Sequence, residues 1–172
     1  SWGGAMGLTQ FLPSDYFRYA VDYDGDGSRN IWTSVPDALA AAARQLVAKG
    51  WQPGMPWAIE VRVPPTADCT EAEPGVTRSI AEWMQRGFVP AYGRQLNGGL
   101  FAAPASLLMP EGSYGPGFLT PANYFVIKEY NYSDLYVLFV GHLSERIVGG
   151  KPFETPWAKD AQLRTRDVEA MQ

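Results

Sequence analysis

The sequence predicts an α+β fold, a mainly helical body with a small β-rich subdomain set into it. Three observations carry that expectation. Helix start signals followed by apolar residues at helical spacing lie on both sides of the middle of the chain, opening at Ser34 and at Ser133. Between them Ile59, Val61 and Val63 alternate with Glu60 and Arg62, the pattern of a half-buried strand. Dense Pro and Gly punctuation across the same middle stretch cuts it into short elements. The expected division is therefore 1–56 (helical), 57–119 (inserted, β-rich), 120–150 (helical, continuing the first) and 151–172 (tail or linker).

A chain of 172 residues with 46% hydrophobic residues buries a real core. The formal charge of −4 argues against a nucleic-acid partner, whose binders carry a basic footprint. No apolar run reaches the length of a membrane span. Six Trp, nine Tyr and eight Phe suit either sugar stacking or ordinary core packing, and packing is the default for each ring. A single cysteine, Cys69, excludes an internal disulfide, and its acidic neighbours Asp68 and Glu71 work against a reactive thiolate. The lone histidine, His142, has no second histidine with which to share a metal and reads as structural or surface.

Taken in order, the chain opens on SWGGAMGLTQFLPSDYFRYAVDYDGDG. Gly3, Gly4, Ala5 and Gly7 allow close approach of backbone or ligand. Gln10 stands among Leu8, Phe11 and Leu12, and a buried amide there needs a protein or ligand partner. Pro13 starts a helix bearing Tyr16, Phe17 and Tyr19. Asp22, Asp24 and Asp26 then alternate, with Gly27 at the sixth position and Ser28 at the seventh, matching the opening of a calcium-binding EF-hand loop. The match fails at the twelfth position, which is Thr33 rather than a bidentate glutamate. A solvated Asp/Gly turn is the plain alternative, but three spaced aspartates repel one another without a cation.

Ser34-Val35-Pro36-Asp37 opens the next helix, with Leu39, Ala43, Leu46 and Val47 as its expected apolar face and Gly50 as its end. Residues 79–86 read as a short helix stopped at Gly87, and 105–109 and 117–119 as two strands about a Pro/Gly-rich turn. A helix opens at Thr120-Pro121 and ends near Tyr130-Asn131. The following one, 134–147, is apolar enough to expect burial on most faces.

The opening stretch, through Ser1-Trp2, Gly4-Ala5-Met6-Gly7, Gln10-Phe11, Pro13-Ser14 and the aspartate turn, resembles the signature of the lytic murein transglycosylase B family. Glu129-Tyr130-Asn131 and the helix after it are similar as well, so the resemblance spans nearly the whole chain. It implies a lysozyme-like core, a peptidoglycan substrate cleaved at the MurNAc-GlcNAc bond to a 1,6-anhydro product, and a bacterial periplasm or cell-envelope setting. It implies a metal loop closed by an aspartate at the next helix start, a place Asp37 fills, giving Asp22, Asp24, Asp26, Ser28 and Asp37 as structural Ca2+ ligands. In that family the general-acid glutamate lies upstream of the Ser-Trp motif, so the chain reads as a fragment with the missing N-terminal segment as a possible partner, inactive alone. No organic cofactor is expected.

The resemblance assigns Ser1 to the neighbourhood of that acid or the substrate N-acetyl group. Gln10 would hold a sugar, Tyr130 and Asn131 would position the substrate, and Tyr136 would stack on a ring; core packing is the alternative for both tyrosines. Ser1, Gln10 and Asn131 are thus supporting catalytic residues. No pair of carboxyls with a hydrolase-like setting stands out, and a charged helix end accounts for Glu129. The 163–172 stretch faintly resembles the start of a peptidoglycan-binding module. A non-catalytic, calcium-stabilised cell-wall-binding module is the alternative to the enzyme.

Overall fold

The computed structural model describes residues 3–112 and 115–157. The chain divides into two compact units, Ser1–Gly54 and Met55–Gln172. The helices after residue 120 fall in the same unit as the sheet.

In the first unit the small-residue segment turns tightly. Met6 and Phe11 pair their backbones in both directions, at 2.9 and 3.0 Å. Gly7 has a positive φ of 64°, and a Cβ there would lie 2.6 Å from the Ile31 carbonyl oxygen. Only glycine admits that approach. Helix α1 (Pro13–Tyr19) begins on Pro13 and buries Tyr19 edge-to-face against Phe11 at 6.2 Å. Helix α2 (Val35–Ala48) is capped by Ser34, whose Oγ accepts the Asp37 N–H.

The buried face of α2 is not the expected one. Asp37, Ala38, Ala41 and Gln45 are buried, whereas Leu39 and Val47 are 67% and 68% exposed. Asp37 is drawn inward by backbone donors, and the residues at helical spacing from it follow. Small alanines then permit close contact that larger side chains on the opposite face do not make.

The second unit holds strands β1 (Ile59–Arg62), β2 (Thr77–Ser79), β3 (Val89–Pro90), β4 (Pro104–Leu108) and β5 (Gly117–Thr120). They form one antiparallel sheet in the order β2-β4-β5-β1-β3, with Leu107 opposite Leu119 and Ile59 opposite Leu119 on its other side. Helix α3 (Ile80–Gln85) starts on a reciprocal capping box between Ser79 and Glu82. Ile59, Val61, Ile80, Trp83, Phe88, Leu107 and Leu119 pack into one core, and the buried Trp83 indole donates to the Ala105 carbonyl at 2.8 Å. Strands β2 and β3 are three and two residues long, too short to show a period in the sequence.

Helix α4 (Ala122–Lys128) ends before Tyr130-Asn131, with a final turn closed by the Tyr130 N–H on Ile127. Helix α5 (Asp134–Ile147), capped by Ser133, corrects a second expectation. It buries only Val137, Leu138 and Gly141, while Leu135, Phe139 and Ile147 are 64%, 66% and 76% exposed. Hydrophobicity around a helix measures what can be buried, and the neighbours present decide which stripe is.

Candidate metal centre and glycan-contacting residues

The aspartate loop is built by its own backbone. Asp22 accepts from Gly25 and Asp26 on Oδ1 (2.8 and 3.1 Å) and from Gly27 on Oδ2 (2.9 Å). Gly25 and Gly27 both take positive φ, which lets these N–H groups turn inward. Asp37 is fully buried; it accepts from Tyr23 (2.7 Å) and Asp24 on one oxygen and from Asn30 (2.8 Å) on the other. Asp24 receives the Ser34 hydroxyl at 2.7 Å, so the residue that caps α2 also steadies the loop.

The result brings carboxylate oxygens of Asp22, Asp24 and Asp37 within 4.8 Å of one another. Burial pushes the Asp37 pKa up, but the N–H groups of Tyr23, Asn30 and Asp24 outweigh it and hold the carboxyl below its ordinary range. The other two expected ligands stand differently. Asp26 turns Oδ1 onto the Ser28 N–H at 2.8 Å, and Ser28 enters the geometry through that N–H.

Gln10 departs from expectation. Its side chain is exposed rather than buried, so the cost of an unpartnered buried amide does not apply. Its Nε2 donates to the Gly7 carbonyl at 2.9 Å, and its backbone has φ 52°, left-handed for a non-glycine residue. The Met6–Phe11 pairing encloses this turn and holds the conformation. Strain of that kind costs about 1–3 kcal/mol and concentrates where a side chain must be aimed. The sequence carries no signal for it.

Tyr130, Asn131 and Tyr136 lie about the α4–α5 junction. Tyr130 and Tyr136 are half-buried and Asn131 is exposed, its Oδ1 accepting the Ser133 N–H at 3.2 Å. The junction is fixed from below. Asp134 accepts from the Tyr124 hydroxyl (2.5 Å) and from Lys128 Nζ (2.6 Å), while burial, followed by the Asp134 hydrogen bond and charge, drives the Tyr124 pKa upward. The sequence places Tyr124 and Lys128 on the helix that opens at Thr120-Pro121 but gives them no site role. Ser1 and the 163–172 stretch lie outside the described residues.

Among the described residues, the carboxyls with clear shifts, Asp37, Asp68, Glu71, Glu82 and Asp134, all shift downward. A general acid needs the opposite. Glu71 is held between Arg78 and Arg86, and Glu60 accepts the N–H groups of Glu154 and Thr155.

Comparison with known proteins places this geometry. A family model described as a transglycosylase SLT domain matches residues 1–145. The membrane-bound lytic murein transglycosylase B of Escherichia coli K12 is 31% identical over 149 residues, 86% of this chain and 39% of that protein. SltB3 of Pseudomonas aeruginosa, solved in complex with NAG-anhNAM-pentapeptide, is 45% identical with a TM-score of 0.86, over 92% of this chain and 42% of its own. Slt35 of Escherichia coli, solved in complex with calcium, is 31% identical with a TM-score of 0.69, over 86% of this chain and 45% of its own. The chain thus spans less than half the length of these relatives.

Proposed function

The chain belongs to the transglycosylase SLT domain family, among its lytic murein transglycosylase B-like members, and from that premise we propose that it forms part of a peptidoglycan lytic transglycosylase. The observation that carries the proposal is the 45% identity to SltB3, a protein solved with an anhydro muropeptide. The substrate is a glycan strand bearing peptide stems, cleaved at the MurNAc-GlcNAc bond. One glutamate protonates the leaving oxygen as the glycosidic bond breaks, and its carboxylate then takes the proton of the muramic 6-hydroxyl as that oxygen closes a 1,6-anhydro ring on C1 in place of attack by water. By its resemblance to the family, we assign that glutamate to a position upstream of the Ser1-Trp2 motif.

In the first unit Ser1 serves beside the acid and Gln10 holds a sugar; in the second, Tyr130 and Asn131 position substrate and Tyr136 offers a ring face to a sugar. The exposed amide of Gln10 on its strained turn supports a contact with substrate. A lysozyme-like core and a periplasmic or envelope location accompany this reading.

Calcium fits the aspartate loop. Hard oxygens suit Ca2+, and Asp22, Asp24 and Asp37 supply them at mutual distances that charge repulsion opposes without a cation. We assign Asp26 and Ser28 to the outer part of the same loop. The ion's role is structural, joining the loop to the start of α2.

Mass spectrometry of digested peptidoglycan tests the proposal, comparing this chain with a version extended by the preceding residues of its parent. Anhydromuropeptides from the extended version are expected. Their absence from both, with glycan binding retained, would establish the calcium-stabilised cell-wall-binding module instead.

A further inference from the structure

The second unit contains an open cavity of about 620 Å³ to which none of the expected site residues contributes. Its walls come from the start of β1, from residues 91–94, from the end of α5 and from residues 151–153. Trp57 and Phe153 give it aromatic surface, and Glu60, Tyr92, Arg94, Glu145 and Lys151 give it polar groups.

These walls are held in place. Tyr92 has φ 56° and ψ 18°, a left-handed conformation for a bulky residue. Its N–H donates to Glu154 and its hydroxyl to the Pro152 carbonyl at 3.0 Å. Glu154 also pairs with Arg62 at 3.0 Å, and Glu60 takes the N–H groups of Glu154 and Thr155, so the 152–155 segment is strapped to β1. Strain maintained by so many bonds marks a surface whose shape is fixed in advance.

The charges are available. Arg94 and Lys151 meet no carboxylate among the described residues; Lys151 Nζ rests 4.7 Å above the Tyr92 ring. Glu145 accepts the Trp57 indole N–H on Oε1 at 2.9 Å and meets no cation among the described residues. Two cations, Arg94 and Lys151, and two carboxylates, Glu60 and Glu145, stand around aromatic walls and match a ligand that carries both carboxylates and an amine.

We propose that this cavity is a second binding site, taking a short acidic peptide with its carboxylates on Arg94 and Lys151 and its free amino group on Glu145. This rests on the peptidoglycan reading, in which the peptide is the stem carried by the glycan strand.

The test uses the full 172-residue chain and two probes, an acidic pentapeptide bearing a side-chain amine and an uncharged oligosaccharide of NAG alone. Isothermal titration of the Arg94→Glu/Lys151→Glu double variant is expected to weaken the pentapeptide by about tenfold or more and to leave the oligosaccharide unchanged. Arg94→Lys is expected to retain most of the affinity. Both side chains are exposed, and circular dichroism checks that the variants fold. Equal pentapeptide binding by the double variant, or none by the natural chain, overturns the site. Pentapeptide binding that depends on Arg94 and Lys151, without anhydro products from the extended version, would keep the site and sink the enzyme.

Discussion

The Trp57 indole donates to Glu145 at 2.9 Å and lies directly over Gly141, one helical turn earlier in α5. A Cβ at residue 141 would fall 2.3 Å from the indole ring. The ring is buried and its N–H is tied to Glu145, so a retreat from residue 141 breaks that bond. Gly141→Ala is therefore expected to destabilise the chain by about 1–3 kcal/mol despite alanine's better helix propensity. Urea unfolding measures it, and an unchanged midpoint would mean the helix shifts freely off the sheet.

Asp37 satisfies three backbone N–H groups while buried, so removing its carboxylate strands them. Asp37→Ala is expected to cost about 1–3 kcal/mol for the unsatisfied donors. In the natural chain, calcium at about a hundred times its Kd adds about 2.7 kcal/mol of stability by mass action. Thermal unfolding with Ca2+ and with EDTA checks both effects, and Asp37→Ala should erase the calcium-dependent rise. A melting temperature indifferent to calcium in the natural chain would remove the metal site.

The Arg78 guanidinium, acting first by its hydrogen bond and with Arg86 beside it, holds the Glu71 carboxyl below its ordinary value of 4.5. A folded pKa below the unfolded one gives stability that is full above the unfolded value and is lost as pH falls through the folded one. The stability difference between the natural chain and Glu71→Gln should therefore be constant near neutrality and shrink on acidification below about pH 4.5. Denaturant midpoints across that range read it. A difference that grows in acid would contradict the sign.

At Gln10 stability and function should move in opposite directions. Gln10→Gly relieves a φ of 52° and is expected to keep or raise stability by up to about 1 kcal/mol. Removing the amide should still lower peptidoglycan turnover by the extended version about tenfold or more. Unchanged turnover with raised stability would show the turn to be merely strained, with no sugar contact.

Where chemistry and chain neighbourhood coincide, the sequence was legible. The Asp22–Asp24 alternation, the Ser34 cap, the reading of residues 79–86 as a helix and the β4–β5 pair all rest on residues a few positions apart. Gln10 misled because apolar neighbours in sequence do not make a buried site when the backbone turns left-handed and faces the amide outward. The faces of α2 and α5 misled because periodicity reveals a stripe, while a single inward anchor such as Asp37 sets its rotation. The cavity beneath Tyr92 was invisible for a different reason. Its walls are joined by contacts such as Trp57 to Glu145 and Tyr92 to Pro152, each spanning tens of residues.

Ile59 and Leu119 face each other across β1 and β5, so the points where the chain enters and leaves the sheet segment lie about 5 Å apart. Everything from 60 to 118 is thereby a detour that begins and ends at one place. Its length is decoupled from the geometry of whatever flanks it. Growth or shortening in the exposed loops of the detour, away from its core and from the Arg62 and Tyr92 contacts, is absorbed by a closed circuit of polypeptide, which gives evolution or an engineer a splice site already built into the strand pairing.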